Sequence, residues 1–345
     1  MALPRPGGPH HVGSITHELV DASRTAHLAS EALGRRMLLK VWYPAVSETT
    51  RPELLWAGVR RDARTPLPVR LLLGCVRVRT AAITRAAISP VLRSSPLVLY
   101  NHGLISFRAE NTSLMEDLAS HGHTVLAIEH AEQLAERQAL TNGGNAGTQR
   151  ARKALERQLA GASAQERARL APEYYDGAAS TNRITIERSA DTSFVMDNAS
   201  TALAAIPGLR PDSVDTSAAH LVGFSLGGAV ATVTAERDPR VRSVANLDGG
   251  LYGSRIARDI REPYLMMYSA PNDGSNDGLL PGHAQRVASA GTTHLNYHDV
   301  AALLPVLHYL HMTGLTNAAV FVAQRNLTVR EFLSVTTNPS RGLSV

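Results

Sequence analysis

The sequence lacks the features that mark several classes of protein. Cys75 is the only cysteine among 345 residues, which excludes an internal disulfide and any metal cluster built on cysteines. No apolar run approaches the length of a transmembrane helix. The segment Met1 to His11 is rich in Pro, Gly and His and has no apolar core typical of a secretory signal. We therefore predict a soluble, cytoplasmic protein.

Charge of one sign is also scarce. The chain carries 35 Lys and Arg against 30 Asp and Glu, a formal net charge of +5, and the basic residues are scattered rather than clustered. Aromatic residues are only 5% of the chain and do not interleave with the basic ones. A nucleic-acid interface concentrates charge on one face, so we predict no nucleic-acid partner. The sequence leaves membrane contact and the oligomeric state open.

What the chain does contain is apolar sequence, 44% of all residues, which is enough for a full hydrophobic core. Short apolar runs alternate with longer helical patterns, which predicts a single α/β domain over 1–345 with a mostly parallel sheet and helices on both faces. The predicted strands are Met37–Tyr43, Leu97–Tyr100, Thr124–Ile128, His220–Phe224, Val241–Leu247 and Tyr264–Tyr268. The predicted helices are Glu110–Ser120, Ile184–Ala205 and Gly227–Glu236.

Two stretches interrupt this alternation. Residues 52–95 are apolar and dotted with Arg, which suits either a segment packed on the sheet edge or an amphipathic flap beside a pocket. Residues 132–182 are polar, with charged helical segments. We interpret 132–182 as an insertion, either a solvated surface excursion or a helical cap that shapes a substrate pocket.

The strongest local motif is Gly-Phe-Ser-Leu-Gly-Gly at residues 223–228. An apolar strand precedes it and a helix of small residues follows, which is the setting of a nucleophile elbow. Gly223 and Gly227 would let the backbone crowd around the sharp turn that presents Ser225. We predict that Ser225 is a nucleophile.

A serine needs a base and an acid, which follow it in the order Ser, acid, His where this elbow occurs. Downstream, His294 lies in a polar loop, whereas His308 and His311 suit a packed helix; His294 is the preferred base. For the acid, Asp248 follows one strand, and Asp273 and Asp277 follow the next. The pattern alone leaves these acids open.

An oxyanion hole needs two backbone amides. One is predicted from Leu226, directly after the serine, and the other from Leu104, in the loop Asn-His-Gly-Leu after an early strand. Gly103 would allow that loop to bend. His102 precedes the serine, so we interpret it as a residue that positions the loop rather than as the base.

Four blocks of sequence resemble the α/β-hydrolase superfamily and, within it, the platelet-activating-factor acetylhydrolase (plasma/type II) family and its bacterial esterase relatives. They are KVWYPA at 40–45, residues 96–130 with the oxyanion loop, HLVGFSLGGA around Ser225, and GTTHLNYHD at 291–299. The resemblance implies the α/β-hydrolase fold, Ser225 as nucleophile, His294 as base, and an acid in Leu247-Asp248. Asn101 before His102, and the Gly-Gly-Leu-Tyr segment after Asp248, depart from the family pattern.

These features predict a serine hydrolase that cleaves carboxylic esters, short-acyl or phospholipid-like, through an acyl-enzyme. The same machinery would serve an acyltransferase, thioesterase or cyclase, and a non-catalytic binding protein is a third alternative that the intact Ser, His and Asp set disfavours. The predicted partner is a small ester or acyl substrate. No cluster of cysteines and histidines has metal-ligand spacing, so we predict no metal and no other cofactor.

Overall fold

Strands in a computed structural model form one mixed sheet. The structure describes residues 3–24, 34–46, 52–56, 71, 78–130, 150, 154–155, 157–159, 162–254 and 257–337, so Cys75 lies outside the described residues. The strands are β1 (His11–Asp21), β2 (Arg35–Ala45), β3 (Ile83–Thr84), β4 (Ser95–Asn101), β5 (Thr124–Glu129), β6 (Val214–Phe224), β7 (Val241–Leu247), β8 (Tyr264–Ser269) and β9 (Gln285–Ser289).

Their spatial order is β3-β1-β2-β5-β4-β6-β7-β8-β9. Strand β2 is antiparallel to both β1 and β5, and from β5 to β9 all neighbours are parallel. All six predicted strands are present, and the prediction of a mostly parallel sheet is confirmed. Residues in the middle of β4, such as Val98 and Leu99, are fully buried because both faces of a parallel sheet are covered.

Helices cover both faces of the sheet. They are α1 (Thr112–Ser120), α2 (Ala164–Asp176), α3 (Ala179–Asp197), α4 (Ala199–Leu203), α5 (Leu226–Ala235), α6 (Val300–Leu303), α7 (Val306–Tyr309) and α8 (Ala318–Thr337). Side chains of α3, α4 and α5 share one hydrophobic core with the sheet, and side chains of α1 and α8 share the core on the opposite face. Two cores on one sheet are the three-layer arrangement that the alternating pattern predicts.

The predicted helix Ile184–Ala205 differs from the structure at both ends. Helix α3 begins at Ala179 and stops at Asp197, and α4 follows as a separate short helix. Between them, the side-chain amide of Asn198 donates to the carbonyl of Phe194 at 2.9 Å. Such a bond from side chain to backbone competes with helix propagation, which explains the break.

Three strands at or next to the edges of the sheet were not predicted: the two-residue β3, and the longer β1 and β9. Strand β1 mixes polar and apolar residues, and β9 is mostly exposed, because each has little or no sheet beyond it. Neither strand therefore shows the continuous apolar run of a buried parallel strand.

Of the two interrupting stretches, the described parts near the start and end of 52–95 are irregular. Strand β3 pairs with β1, and Leu55 and Trp56 pack against Phe107 and α6. These parts of 52–95 lie at the sheet edge. Residues 57–70 and 72–77 lie outside the described residues, and so do residues 132–149 of the predicted insertion. Within the described ranges, no helix is both long enough and apolar enough to cross a membrane.

Candidate active site

Polar residues follow the carboxyl ends of adjacent parallel strands, where open α/β sheets place their sites. Ser225 comes directly after β6 and donates its backbone N–H to Leu247 of β7 at 2.9 Å. Asp248 comes directly after β7 and donates its backbone N–H to Met267 of β8 at 2.8 Å. The strand pairing thus fixes both main chains, while His294 begins a short 3-10 helix beyond β9.

The side chains of these three residues form a hydrogen-bonded chain. The Ser225 hydroxyl lies 2.8 Å from Nε2 of His294, and Nδ1 of His294 lies 2.7 Å from a carboxylate oxygen of Asp248. Both distances suit direct proton transfer or sharing. Asp248 is fully buried, whereas the His294 side chain is 47% exposed.

The turn at Ser225 has the backbone conformation of a strained elbow. Its φ is 55° and ψ is −121°, which a serine adopts only where its surroundings hold it. A Cβ on Gly227 would lie 1.9 Å from the carbonyl oxygen of Asn101, and one on Gly223 would lie 2.0 Å from that of Gly227. Only glycine allows these close approaches, so the glycines that sequence analysis selected are the ones that the turn requires.

The carboxylate of Asp248 is held on both oxygens. One oxygen accepts the backbone N–H of Ser269 at 2.6 Å, and the oxygen that faces His294 also accepts the amide of Asn272 at 3.0 Å. Charge-assisted bonds of this kind fix a carboxylate's orientation. Asn272 directly precedes Asp273, one of the two rival candidates for the acid. The segment that contains the rival acids therefore provides a hydrogen-bond donor to Asp248.

The two rival acids lie elsewhere. Asp273 receives Arg167 on its backbone carbonyl at 3.2 Å. Asp277 accepts the Tyr268 hydroxyl at 3.0 Å and forms an ion pair with Arg286 at 2.9 Å. Among the described residues, the carboxylate on the His294 ring is that of Asp248.

The two predicted oxyanion residues, Leu104 and Leu226, line the same cavity as the serine. Leu226 is the first residue of α5, so its N–H has no acceptor within the helix. Leu104 follows Gly103, and the next residue, Ile105, has a φ of 58°, which bends the loop. A Cβ on Gly103 would lie 3.3 Å from that of Ser225, so this loop closely approaches the elbow.

A buried carboxylate, which sequence analysis missed, holds that loop. Glu110 accepts the Gly103 N–H at 3.0 Å and the Tyr100 hydroxyl at 2.6 Å. Burial raises its pKa to about 7, because its hydrogen bonds only partly offset the loss of water around the charge. Glu110 was assigned only to a helical segment, and no sequence signal distinguishes it from a solvated glutamate.

His102 is buried beneath the oxyanion loop. Its Nδ1 lies 2.7 Å from the carbonyl of Gly103, and its own carbonyl accepts Arg188 at 3.2 Å. Burial and then the Arg188 charge hold the pKa of His102 well below its usual range, so the ring is neutral. Its ring packs at 5.4 Å from that of His130, which joins Asp191 in a buried ion-pair network. His102 therefore contacts the predicted oxyanion loop directly, through the carbonyl of Gly103.

The other histidines differ from expectation in one respect. His308 and His311 are exposed on or just after the short helix α7, so their assignment to a packed helix was wrong. The prediction failed because Leu307 alone anchors this segment, which otherwise faces solvent. Among the described histidines after Ser225, His298 is the buried one, and burial lowers its pKa to about 3. Phe224 stacks on the His294 ring at 4.8 Å and so limits its rotation.

The serine opens into a cavity of about 620 Å³. The elbow, helix α2 and the turn after β7 all contribute residues to its lining. The lining also includes Leu159, and the residues from α2 and the turn are Arg167, Ala171, Tyr174, Tyr175 and Tyr252. In the described part of the chain, no group of three or more His, Cys, Asp or Glu side chains could hold a metal ion.

Comparisons with known proteins agree with this architecture. The family model for platelet-activating factor acetylhydrolase, isoform II, matches residues 1–169. A platelet-activating factor acetylhydrolase from Cavia porcellus is 23% identical over 319 residues, covering 86% of this chain and 69% of that protein. The solved structure of a ferulic acid esterase from Streptomyces cinnamoneus superposes with a TM-score of 0.69 at 22% identity, covering 96% of this chain and 92% of that one.

The structural likeness confirms the predicted α/β-hydrolase fold, and the sequence matches confirm the predicted family resemblance. The family match ends before Ser225, so the geometry of the triad is evidence separate from that match. The chain therefore has the α/β-hydrolase fold, and its residues 1–169 are similar to the family of platelet-activating factor acetylhydrolase, isoform II.

Proposed function

We propose that this protein hydrolyses carboxylic esters through an acyl-enzyme on Ser225. The observation that carries the proposal is the chain of contacts from Ser225 through His294 to Asp248. The names of the relatives, an acetylhydrolase and an esterase, support the same reaction class. The resemblance favours short-acyl or phospholipid-like esters as substrates.

In the proposed mechanism, the Ser225 oxygen attacks the ester carbonyl carbon while Nε2 of His294 takes its proton. Asp248 holds the imidazole tautomer and stabilises the imidazolium. The amides of Leu104 and Leu226 receive the negative charge on the carbonyl oxygen. His294 then protonates the departing alcohol, and the acyl group remains on Ser225.

Deacylation repeats the sequence with water as the nucleophile. His294 takes a proton from the attacking water, and a tetrahedral intermediate forms. As the intermediate collapses, His294 returns the proton to the Ser225 oxygen and the carboxylic acid leaves. The 47% exposure of the His294 side chain supports hydrolysis over transfer to another acceptor, because water reaches the base. No described contact specifically favours an acyltransferase, a thioesterase or a cyclase.

The test is turnover of nitrophenyl esters from acetyl to long acyl by the wild type and by Ser225→Ala. We expect the substitution to lower kcat by about 10⁴-fold or more, with unchanged circular dichroism. Ser217→Ala is the matched control, an exposed serine on the same strand. Turnover that survives Ser225→Ala, or an intact protein that a fluorophosphonate does not label at Ser225, would contradict the proposal.

A further inference from the structure

A fully buried arginine on the last helix bonds to the segment that carries the base. Arg325 lies on α8, and its side chain is not exposed to solvent. Its Nη1 donates to the carbonyl of Tyr297 at 2.5 Å. Tyr297 ends the short 3-10 helix that His294 begins. Arg325 therefore holds the main chain of the base-bearing helix.

The same nitrogen also bonds to the segment that precedes α1. Nη1 of Arg325 donates to the side-chain oxygen of Asn111 at 2.8 Å, and the Asn111 amide donates to the Tyr100 hydroxyl at 2.8 Å. That hydroxyl donates to Glu110 at 2.6 Å, and the same carboxylate oxygen accepts the N–H of Gly103 at 3.0 Å. A continuous series of hydrogen bonds thus runs from Arg325 to the oxyanion loop. We call Arg325, Asn111, Tyr100 and Glu110 the buried chain.

Burial makes each link of the buried chain costly to lose. All four of its side chains belong to residues with no exposure to solvent. A buried donor or acceptor that loses its partner gains no bond to water in exchange. The charge of Arg325 is balanced by Asp299, also fully buried, at 3.1 Å. The two ends of the buried chain are therefore held in one position relative to each other.

The Glu110 end of the chain acts on the predicted oxyanion amide. Gly103 has no side chain to restrict its backbone, so bonds to its polar groups decide its conformation. Glu110 holds its N–H, while its carbonyl lies 2.7 Å from Nδ1 of His102 and accepts the N–H of Ser106 at 3.3 Å. That carbonyl and the N–H of Leu104 belong to one planar trans peptide and point in opposite directions. Holding Gly103 therefore sets the direction of the Leu104 N–H.

We infer that Arg325 is a positioning residue of the proposed esterase site, which fixes the Leu104 amide relative to His294 through the buried chain. The inference rests on the proposed function and adds a residue of the last helix to it. A preorganised donor stabilises the oxyanion because it need not rearrange as the charge develops. Breaking the buried chain should therefore lower kcat and leave KM nearly unchanged.

The first test removes one hydroxyl from the buried chain. Tyr100→Phe keeps the ring but breaks the link between Asn111 and Glu110. With nitrophenyl acetate, we expect kcat to fall about tenfold and KM to change by less than about twofold. Tyr43→Phe is the matched control, because Tyr43 is also fully buried and its hydroxyl donates to the carbonyl of Ala86 at 2.7 Å, just after the edge strand β3. The control should lose similar stability and keep kcat within about twofold of the wild type.

Inhibition by 1,1,1-trifluoro-2-octanone separates positioning from a general loss of structure. This ketone forms a hemiketal with the serine hydroxyl, and the hemiketal oxygen carries charge where the transition state does. For Tyr100→Phe, its inhibition constant should rise by the factor by which kcat/KM falls, about tenfold. The alcohol 2-octanol forms no hemiketal and should inhibit the variant and the wild type equally.

Arg325→Lys tests the other end of the buried chain. Lysine keeps the charge beside Asp299 but lacks the planar fork that reaches Tyr297 and Asn111 together. We expect kcat to fall as in Tyr100→Phe. The double variant should be no slower than the slower single variant, because both substitutions break one series of bonds. If Arg325→Lys does not fold, Asn111→Leu takes its place in the double variant.

The outcomes separate this inference from the proposed function. A Tyr100→Phe enzyme whose kcat and ketone inhibition constant match those of Tyr43→Phe within about twofold would overturn the inference alone. Effects that multiply in the double variant would do the same. A wild type that neither hydrolyses nitrophenyl esters nor accepts a fluorophosphonate label on Ser225 would overturn the proposed function itself.

Discussion

The two sides of the cavity are built on different principles. The elbow side consists of strand ends whose amides bond to neighbouring strands, and a Cβ on its glycines Gly223 and Gly227 would lie about 2 Å from the main chain. The side from α2 and the turn after β7 carries the half-buried rings of Tyr174, Tyr175 and Tyr252. The comparison teaches that the proposed chemistry lies on strand ends fixed by main-chain hydrogen bonds, whereas the rest of the cavity lining lies on a helix and a turn outside the sheet.

The largest expected effect distinguishes the two candidate acids. Asp248→Asn should lower kcat by about 10⁴-fold, because an amide no longer holds the imidazole tautomer or stabilises its charge. Asp273→Asn, on the loop whose carbonyls accept Arg167, should change kcat by no more than about threefold. Steady-state kinetics with nitrophenyl acetate measure both. An Asp273 variant as impaired as the Asp248 variant would overturn the assignment of the acid.

The next effect tests rigidity. Gly227→Ala should lower the free energy of unfolding by about 3 kcal/mol or more, because its Cβ would collide with the main chain of Asn101. Gly177 ends helix α2 with an ordinary helical φ of −68°, so Gly177→Ala should change stability by less than about 1 kcal/mol. Urea unfolding compares the two. Equal losses would mean that the two sides are equally constrained.

A comparison of pH dependence is the third test, with the smallest effect. Burial raises the pKa of Glu110, below the oxyanion loop, from 4.5 to about 7. Between these values the unfolded chain releases the proton and the folded chain retains it, so Glu110 makes stability fall as pH rises. Glu110→Gln removes this fall. The difference in the free energy of unfolding, variant minus wild type, should therefore rise by about 3 kcal/mol between pH 4.5 and pH 8.

Glu166 at the start of α2 should behave in the opposite way. Hydrogen bonds from Ser163 lower its pKa, so its contribution to stability is present above its ordinary pKa and is lost as pH falls through the lowered value. Glu166→Gln should therefore be destabilising at neutral pH and neutral in acid. Unfolding curves over a pH series measure both variants, and slopes of the same sign would contradict the comparison.

The elbow could be located from the sequence because its residues are neighbours along the chain. Gly223, Ser225 and Gly227 lie within one strand-turn-helix motif, and the turn can only form with glycine at the crowded positions. The six predicted strands were recognisable for a similar reason, since a strand buried on both faces is a continuous apolar run. The strands β1, β3 and β9, at or next to the sheet edges, have no such local signal.

The remaining parts of the site depend on residues far apart in the chain. Asn272 contacts Asp248 and Phe224 stacks on His294 only because neighbouring strands end at the same edge. Glu110 acts below the oxyanion loop because folding removes it from water, and its sequence surroundings do not show that burial.

The sequence by itself determined the six central strands of the sheet, the elbow and the candidates for base and acid, since each is encoded by a local pattern of residue type and spacing. The tertiary structure decided which carboxylate faces the imidazole and which rings line the cavity beside the serine. It also placed His308 and His311 at the surface. These features depend on distances between side chains, and spacing along a chain does not fix such distances until the strands and helices have packed.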